Sequence, residues 1–425
     1  MEFTSIFIKV LLGASLLGVV AGVMGCFALL RRQSLLGDAV SHAALPGVCI
    51  AFLITGGKDP LSILIGALLA GFAGSLFILL VVRGSRIKED SAIGIVLSVF
   101  FGVGIVLLTY IKRLPVGNRS GLDTFLFGQA ATLMWKDVLL FTVVALLVLT
   151  VIIVFYKEFK LLCFDRSFGD SLGLPMRRLE IVLTSLLVVV VVIGLQTVGV
   201  ILMLAALVTP AAAARQWTDR FLAMLVLAGS FGAISSGLGV LASSSIERMP
   251  TGPAIVMVSS AVLIVSLLLA PGRGLVWNFV QSRRLEKRIR HENLLTDLYR
   301  LGERQKNWER TVSAPTLMGM RGQSGREIWR TVGQLESRGL LAVNGDAMLL
   351  TTTGLDEASD VVRKHRLWEL YLMRRLDLPA DHVHRDAEAM EHALTDEAVA
   401  EFEELLGYPQ HDPHGREIPK RRRSS

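Results

Sequence analysis

Cysteine is nearly absent. Three occur in 425 residues, Cys26, Cys49 and Cys163, with no CxxC or other paired spacing. That excludes a disulfide framework and a thiolate zinc site. No HExxH and no nucleophile–base set appears, which argues against a membrane enzyme, and no GxxxxGK[ST] loop is present to cradle nucleotide phosphates. Histidine is scarce in the first two thirds of the chain. Residues 1–282 hold one, His42, and residues 283–425 hold the other seven. The N-terminus lacks the charged n-region and cleavage site of a secretory signal and reads instead as a first membrane helix.

Apolar length is what the chain has in abundance. Hydrophobic residues make up 52% of it and the mean hydropathy is +0.54. Runs close to the roughly 20 residues a membrane helix needs fall near 6–30, 35–56, 61–82, 91–111, 136–156, 179–197, 198–214, 221–243 and 252–271. The sixth and seventh run together through 194–199, as two crossings or as one crossing and a re-entrant piece. The first part is thus an all-α polytopic membrane bundle of eight or nine segments, and the small-residue pairs Gly18/Gly22, Gly71/Gly74, Gly102/Gly104 and Gly237/Gly239 let its helices approach closely.

Charge divides the chain at the same place. Residues 1–282 carry 20 Lys+Arg against 13 Asp+Glu, and residues 283–425 carry 24 of each. The basic balance therefore belongs to the loops of the membrane part. Arg31, Arg83, Lys157, Arg177, Arg215 and Arg273 lie on one side if nine segments cross, which places that side and the C-terminal part in the cytoplasm. The loop with Lys112, Arg113 and Arg119 runs against this assignment.

One stretch stands out within the membrane part. Residues 35–47 read Leu-Leu-Gly-Asp-Ala-Val-Ser-His-Ala-Ala-Leu-Pro-Gly. Asp38 and His42 are four apart, on one helix face one turn apart. A carboxylate and an imidazole there can hold a divalent cation on an ion path, or simply bond each other or cap a helix end. Ligation needs neutral imidazole, so uptake through such a site should fall as His42 protonates. The loop at 164–175 reads as a short amphipathic helix ending at glycine and proline, a docking surface for a partner.

After residue 272 the character changes. Residues 273–291 form a charged linker: a helix leaving the membrane, a basic stretch on anionic headgroups, or a solvated connector. Helices are predicted over 292–305, 314–321 and 324–338, the last with Ser324 as N-cap and Gly339 as stop. A hairpin with an Asn344-Gly345 turn follows. This is a winged helix-turn-helix domain over 292–355, with Arg326, Trp329 and Arg330 as candidate DNA contacts. The balanced charge argues against a strong non-specific DNA footprint, and such domains also bind protein. Residues 356–418 form a helical domain rich in His and Glu: His365/Glu369, His384/Glu388 and Glu388/His392 are each four apart and, with Glu391, make metal-ready, sulfur-free sets. A basic tail occupies 419–425.

The membrane part resembles the permease subunits of ABC importers for manganese, zinc or iron. The resemblance rests on residues 37–47, 164–175, 194–200, 207–212 and 250–255, in chain order. It implies that Asp38 and His42 line the metal path and that Asp165, Phe168, Gly169, Leu172 and Gly173 contact an ATPase. It also implies a paired permease or homodimer, two ATPase chains and an extracytoplasmic metal-binding lipoprotein. No nucleotide would bind this chain. Residues 292–418 resemble the metal-dependent regulators of the diphtheria toxin repressor family, on 364–369, His384, 388–392, 407–409 and 412–415. That resemblance implies that His365, Glu369 and His384 help bind metal and that Glu388, Glu391 and His392 form the main site. Glu388, where iron-type members carry cysteine, leans toward manganese. Asn293 and Thr296 stand where the family's first helix supplies a ligand, and the SH3-like domain is absent. The combined expectation is an importer permease in the bacterial inner membrane, with a fused cytoplasmic metal sensor. The alternatives are a tethered regulator that senses without transporting, and an exporter.

Overall fold

The computed structural model describes residues 2–56, 59–113, 133–246, 249–308, 311–321, 324–376 and 396–420. It divides into two compact units between Asn278 and Phe279.

The first unit is helical throughout its described residues. Its elements are α1 (Glu2–Leu30), α2 (Leu36–Thr55), α3 (Pro60–Gly84), α4 (Glu89–Arg113), α5 (Trp135–Val154), α6 (Tyr156–Phe164), α7 (Arg166–Ser171), α8 (Met176–Val198), α9 (Val200–Trp217), α10 (Phe221–Ser245) and α11 (Thr251–Leu269). Among the described residues, eight spans are long and apolar enough to cross a membrane. The outer face is apolar: Leu69, Leu80, Val106, Leu139, Leu146 and Ile153 are exposed. A lipid surround explains this, since backbone polar groups are satisfied within each helix and the side chains need no water.

Two close crossings hold the bundle. On α1 and α10 a Cβ built at Gly18 would meet the Gly232 carbonyl oxygen at 2.3 Å, one at Gly232 the Gly18 oxygen at 2.0 Å, and one at Gly22 the Ala228 oxygen at 2.3 Å. On α2 and α3, Gly47 and Gly66 face each other's carbonyls at 2.1 and 2.5 Å. Of the glycine pairs expected to pack, Gly71, Gly74, Gly104 and Gly239 do, whereas a side chain at Gly102 would meet nothing within 4 Å.

The joined sixth and seventh segments form a helix pair turned at Gly199, whose φ of 85° suits glycine. Both start and finish at one end of the bundle. Glu180, near the start of α8, pairs with Arg31 beyond α1, while Arg273 beyond α11 pairs with Asp219 beyond α9 at 2.5 Å. The Phe221 ring, opening α10, packs edge-on against Phe27 and Phe164 at this same end. The loops at 31–35, 85–88, 165–175 and 218–220 therefore share one face, the grouping expected from their charges.

The helix α12 (Leu275–Gln305) runs unbroken through the expected linker. Polar composition suggests a connector, but Arg, Lys, Glu and Leu are good helix formers. In the second unit α12 is followed by β1 (Val312–Ser313), α13 (Ala314–Arg321), α14 (Gly325–Ser337), β2 (Leu341–Asn344), β3 (Ala347–Leu350), α15 (Thr352–Leu376) and α16 (Asp396–Leu406). The sheet is antiparallel with order β1-β3-β2. Gly345 turns the hairpin with φ 61°, and Gly339 ends α14 with φ 72°. Its core gathers Leu295, Leu317, Val332, Leu335, Leu341 and Met348.

His291 ties α12 to α14. Its Nε2 lies 2.8 Å from Gln334 Oε1, so Nε2–H donates and Nδ1 accepts from Arg338 at 3.5 Å. Burial pushes this imidazole below its ordinary 6.5, and Lys287 and Arg338 add to the effect; the Gln334 bond and Glu357 oppose it. A histidine held neutral in the fold lets the unfolded chain take up the proton first, so stability is full above about pH 6.5 and declines as the pH falls below it. Amide exchange in α14, corrected for intrinsic pH dependence, should quicken between pH 7.5 and 5.5 (about one unit either side of that value). His291→Gln should flatten the difference, and an unchanged slope would remove His291 as the cause.

Candidate metal path and metal-binding domain

The membrane site is built on α2. From Leu36 to Cys49 every residue of this helix is buried except Asp38 and His42, whose side chains are 22% and 18% exposed. Asp38 sits in the first turn, where the positive end of the helix dipole favours a carboxylate. His42 Nε2 lies 3.5 Å from Asp38 Oδ1. Its Nδ1 is buried and has no hydrogen-bond partner among the described residues, and its ring stands edge-on to Phe101 with centroids 4.7 Å apart. Pro46 lies four residues further on and has no N–H, so the His42 carbonyl lacks its helical donor. A carboxylate and an imidazole 3.5 Å apart on one helix face are donors of the oxygen and nitrogen kind that a divalent transition metal takes. Ser41 adds nothing here, because its hydroxyl donates to the Gly37 carbonyl at 2.8 Å.

The segment expected to dock a partner is α7 with its flanks. Asp165 caps the helix by accepting from Phe168 N–H at 2.9 Å, and Gly173 turns out of it with φ 76°. Phe168 and Leu172 are 53% and 59% exposed, and Asp165 and Gly173 are exposed as well. Gly169 is not available to a partner: it is buried, and a Cβ there would meet Met176 at 2.2 Å. It lets α7 sit flat on α8. Nearby, burial pushes the Cys163 thiol up to about 11, so it offers no thiolate.

In the second unit His365 and Glu369 are both almost wholly buried on α15, with Nε2 and Oε1 3.0 Å apart. His384, Glu388, Glu391 and His392 lie outside the described residues, and among the described residues no group of three or more His, Cys, Asp or Glu converges. Asn293 Oδ1 and Thr296 Oγ1, at the positions where the first helix is expected to supply a ligand, are buried without a hydrogen-bond partner among the described residues. Arg366 locks the surroundings, with both guanidinium nitrogens on Glu303 at 3.0 and 2.6 Å and its Nε 3.5 Å from Asp412. On α14, Arg326, Trp329 and Arg330 are exposed, opposite the buried Ile328 and Val332.

Sequence reading missed one site. Glu180 receives Arg31, Arg166 and Arg83 at 2.6, 3.0 and 3.3 Å. No local spacing signals it, because its partners lie up to 149 residues away.

Known proteins resemble this chain over both of its units. The ABC 3 transport family model matches residues 4–270, and the model described as iron dependent repressor, metal binding and dimerisation domain matches 351–420. The manganese transport system membrane protein MntC of Bacillus subtilis is 44% identical over 370 residues, 87% of this chain and 84% of that protein. A probable metal transport system membrane protein of Chlamydia trachomatis is 32% identical over 442 residues, covering 99% and 98%, so both units recur together. The solved structure of PsaBC from Streptococcus pneumoniae in complex with Fab aligns with TM-score 0.56 at 34% identity, over 62% of this chain and 92% of that one. A matched region that carries the Asp38–His42 helix and the eight apolar spans found among the described residues makes this multi-pass membrane chain a member of the ABC 3 transport family, joined to a C-terminal domain of the iron-dependent-repressor type.

Proposed function

We propose that the chain is the membrane permease of an ATP-driven importer for a divalent transition metal, manganese first and iron or zinc after it. The observation that carries this reading is the pair Asp38 and His42, the only openings in an otherwise buried stretch of helix. The names of the relatives, manganese transport for one and metal transport for another, support the cargo. In this reading metal arrives from an extracytoplasmic binding lipoprotein and passes between Asp38 and His42. It leaves toward the cytoplasm as a paired permease alternates access, driven by separate ATPase chains docked on Phe168 and Leu172. The site should hold metal weakly enough to release it. The positive loops support a cytoplasmic position for the face with Arg31 and Arg83, and in this reading for the C-terminal unit. Radiolabelled manganese and zinc uptake by cells expressing the whole system tests the reading; no metal-selective uptake would end it.

The C-terminal unit is proposed as a cytoplasmic metal sensor, with His365, Glu369, His384, Glu388, Glu391 and His392 as ligands. Its domain limits are taken as 292–355 and 356–418. Direct feedback on transport is favoured over release by cleavage, because 275–305 is continuous helix and offers no extended backbone to a protease. The exposed Arg326, Trp329 and Arg330 keep tethered DNA binding as a second reading. A chain truncated after Arg273 should keep importing manganese when cytosolic manganese is high, while the whole chain slows, with a difference of about 5-fold or more. Identical uptake curves would remove feedback and leave the regulator reading.

A further inference from the structure

We infer that Glu180 is the positioning residue that couples the ATPase-docking helix to the metal-bearing helix; the inference rests on the permease reading above. Glu180 is 8% exposed and gathers three arginines from three different parts of the chain. Arg166 belongs to α7, Arg31 to the corner between α1 and α2, and Arg83 to the last turn of α3. One carboxylate thus holds together three guanidinium groups that would otherwise repel one another. Removing it leaves the buried Arg31 guanidinium without its counter-charge and facing two more exposed positive charges, Arg83 and Arg166.

The corner at 31–35 shows what the contact holds in place. Arg32 adopts φ 60°, the left-handed region that residues with a side chain seldom occupy. Such a conformation persists where surrounding contacts over-determine it. Here the C-cap of α1 supplies part of them, with Gln33 N–H on the Ala28 carbonyl at 2.8 Å and Arg32 N–H on the Leu29 carbonyl at 3.1 Å, and two side-chain contacts flank it: Arg31 on Glu180, and Gln33 on Glu89 at the start of α4. The corner leads straight into α2, whose first turn carries Asp38. A movement of α7 on its ATPase therefore reaches Asp38 through Arg166, Glu180 and Arg31, then through seven residues of chain. Arg166 is the link that carries the movement to Glu180, while Arg31 and Arg83 tie that carboxylate to the corner and to the end of α3, so the three ion pairs form one contiguous network. A cavity of about 440 Å³ beside the cluster, bounded by Phe72, Leu79, Arg83, Glu89, Arg166 and Glu180, leaves room for that movement.

The experiment measures manganese ions moved per ATP hydrolysed by the full chain, reconstituted in vesicles with its ATPase and binding lipoprotein. Glu180→Gln should keep ATP hydrolysis while the ratio falls about tenfold, within the usual range of coupling between sites. If the wild-type complex moves no manganese, the permease reading fails. If it does, and Glu180→Gln leaves the ratio unchanged or lowers hydrolysis and transport together, the coupling role alone is overturned. Should Glu180→Gln not yield a folded complex, Arg166→Gln decides, because Arg166 is 45% exposed and Glu180 keeps two arginines. That variant should still co-purify with the ATPase, move less manganese per ATP, and be restored by Arg166→Lys. Loss of the ATPase on purification, or a wild-type ratio, would overturn the proposal.

Discussion

Replacing Asp38 or His42 with alanine is expected to abolish manganese uptake while leaving the protein in the membrane at normal amounts. Both side chains are part-exposed on a helix whose other residues from 36 to 49 are buried, so shortening either leaves the packing intact. What each removes is a ligand. Losing only the groups that orient a metal's ligands costs about 10- to 100-fold in affinity or activity; losing a ligand from a set this small should exceed about 100-fold. Asp38→Asn separates charge from shape, because the amide fills the same space and offers a neutral oxygen, and it should recover little. The alternative role, in which the two side chains merely bond each other across 3.5 Å, predicts a different result. Neither partner of that bond is deeply buried, so its loss would cost about 1 kcal/mol of stability and nothing in transport. Radiolabelled uptake normalised to membrane protein level distinguishes the two. Unchanged uptake in both variants would make the pair structural and bring the tethered regulator forward.

The sequence showed the parts whose chemistry is local. Asp38 and His42 are one turn apart, so helix geometry alone joined them. Gly339 and the Asn344-Gly345 turn marked the end of α14 and the hairpin because a positive φ is a backbone requirement written into a residue type, while Ser324 marked the start of α14 although its hydroxyl donates to Glu327 and caps no backbone N–H. What depends on distant packing was not visible. Glu180 looked like one acid among many until the fold brought Arg31, Arg83 and Arg166 to it. The strand β1 has two residues and no alternation to read; it exists because β3 has a free edge. The charged run at 283–290 left a helix, a headgroup contact and a solvated connector open, since hydrophobic periodicity reports burial and this helix is exposed there. Gly169 was expected at a partner contact on the family resemblance; in the fold it is buried against Met176. The proposed sensor ligands His384, Glu388, Glu391 and His392 lie outside the described residues.

Gly22→Leu and Gly232→Leu should each prevent accumulation of folded protein. At these positions what a new side chain would strike is main chain: the Ala228 carbonyl oxygen at 2.3 Å and the Gly18 carbonyl oxygen at 2.0 Å from a built Cβ. A flexible side chain can turn aside, but a helix carbonyl moves only with its helix. The crossing of α1 and α10 would have to open along its length, taking with it the packing of Val20, Met24 and Ala228. Overpacking a core in water costs about 1–3 kcal/mol or more. Within lipid the loss is harder to offset, because lipid tails are as apolar as the helices and close packing is what draws the helices together. Gly102→Leu is the matched control: it adds the same volume where nothing lies within 4 Å, and should leave yield and uptake unchanged. Size-exclusion profiles of the three variants in detergent decide the matter. If Gly22→Leu and Gly232→Leu elute as wild type does, the α1–α10 crossing does not hold the bundle; if all three aggregate, added volume rather than backbone contact is the cause.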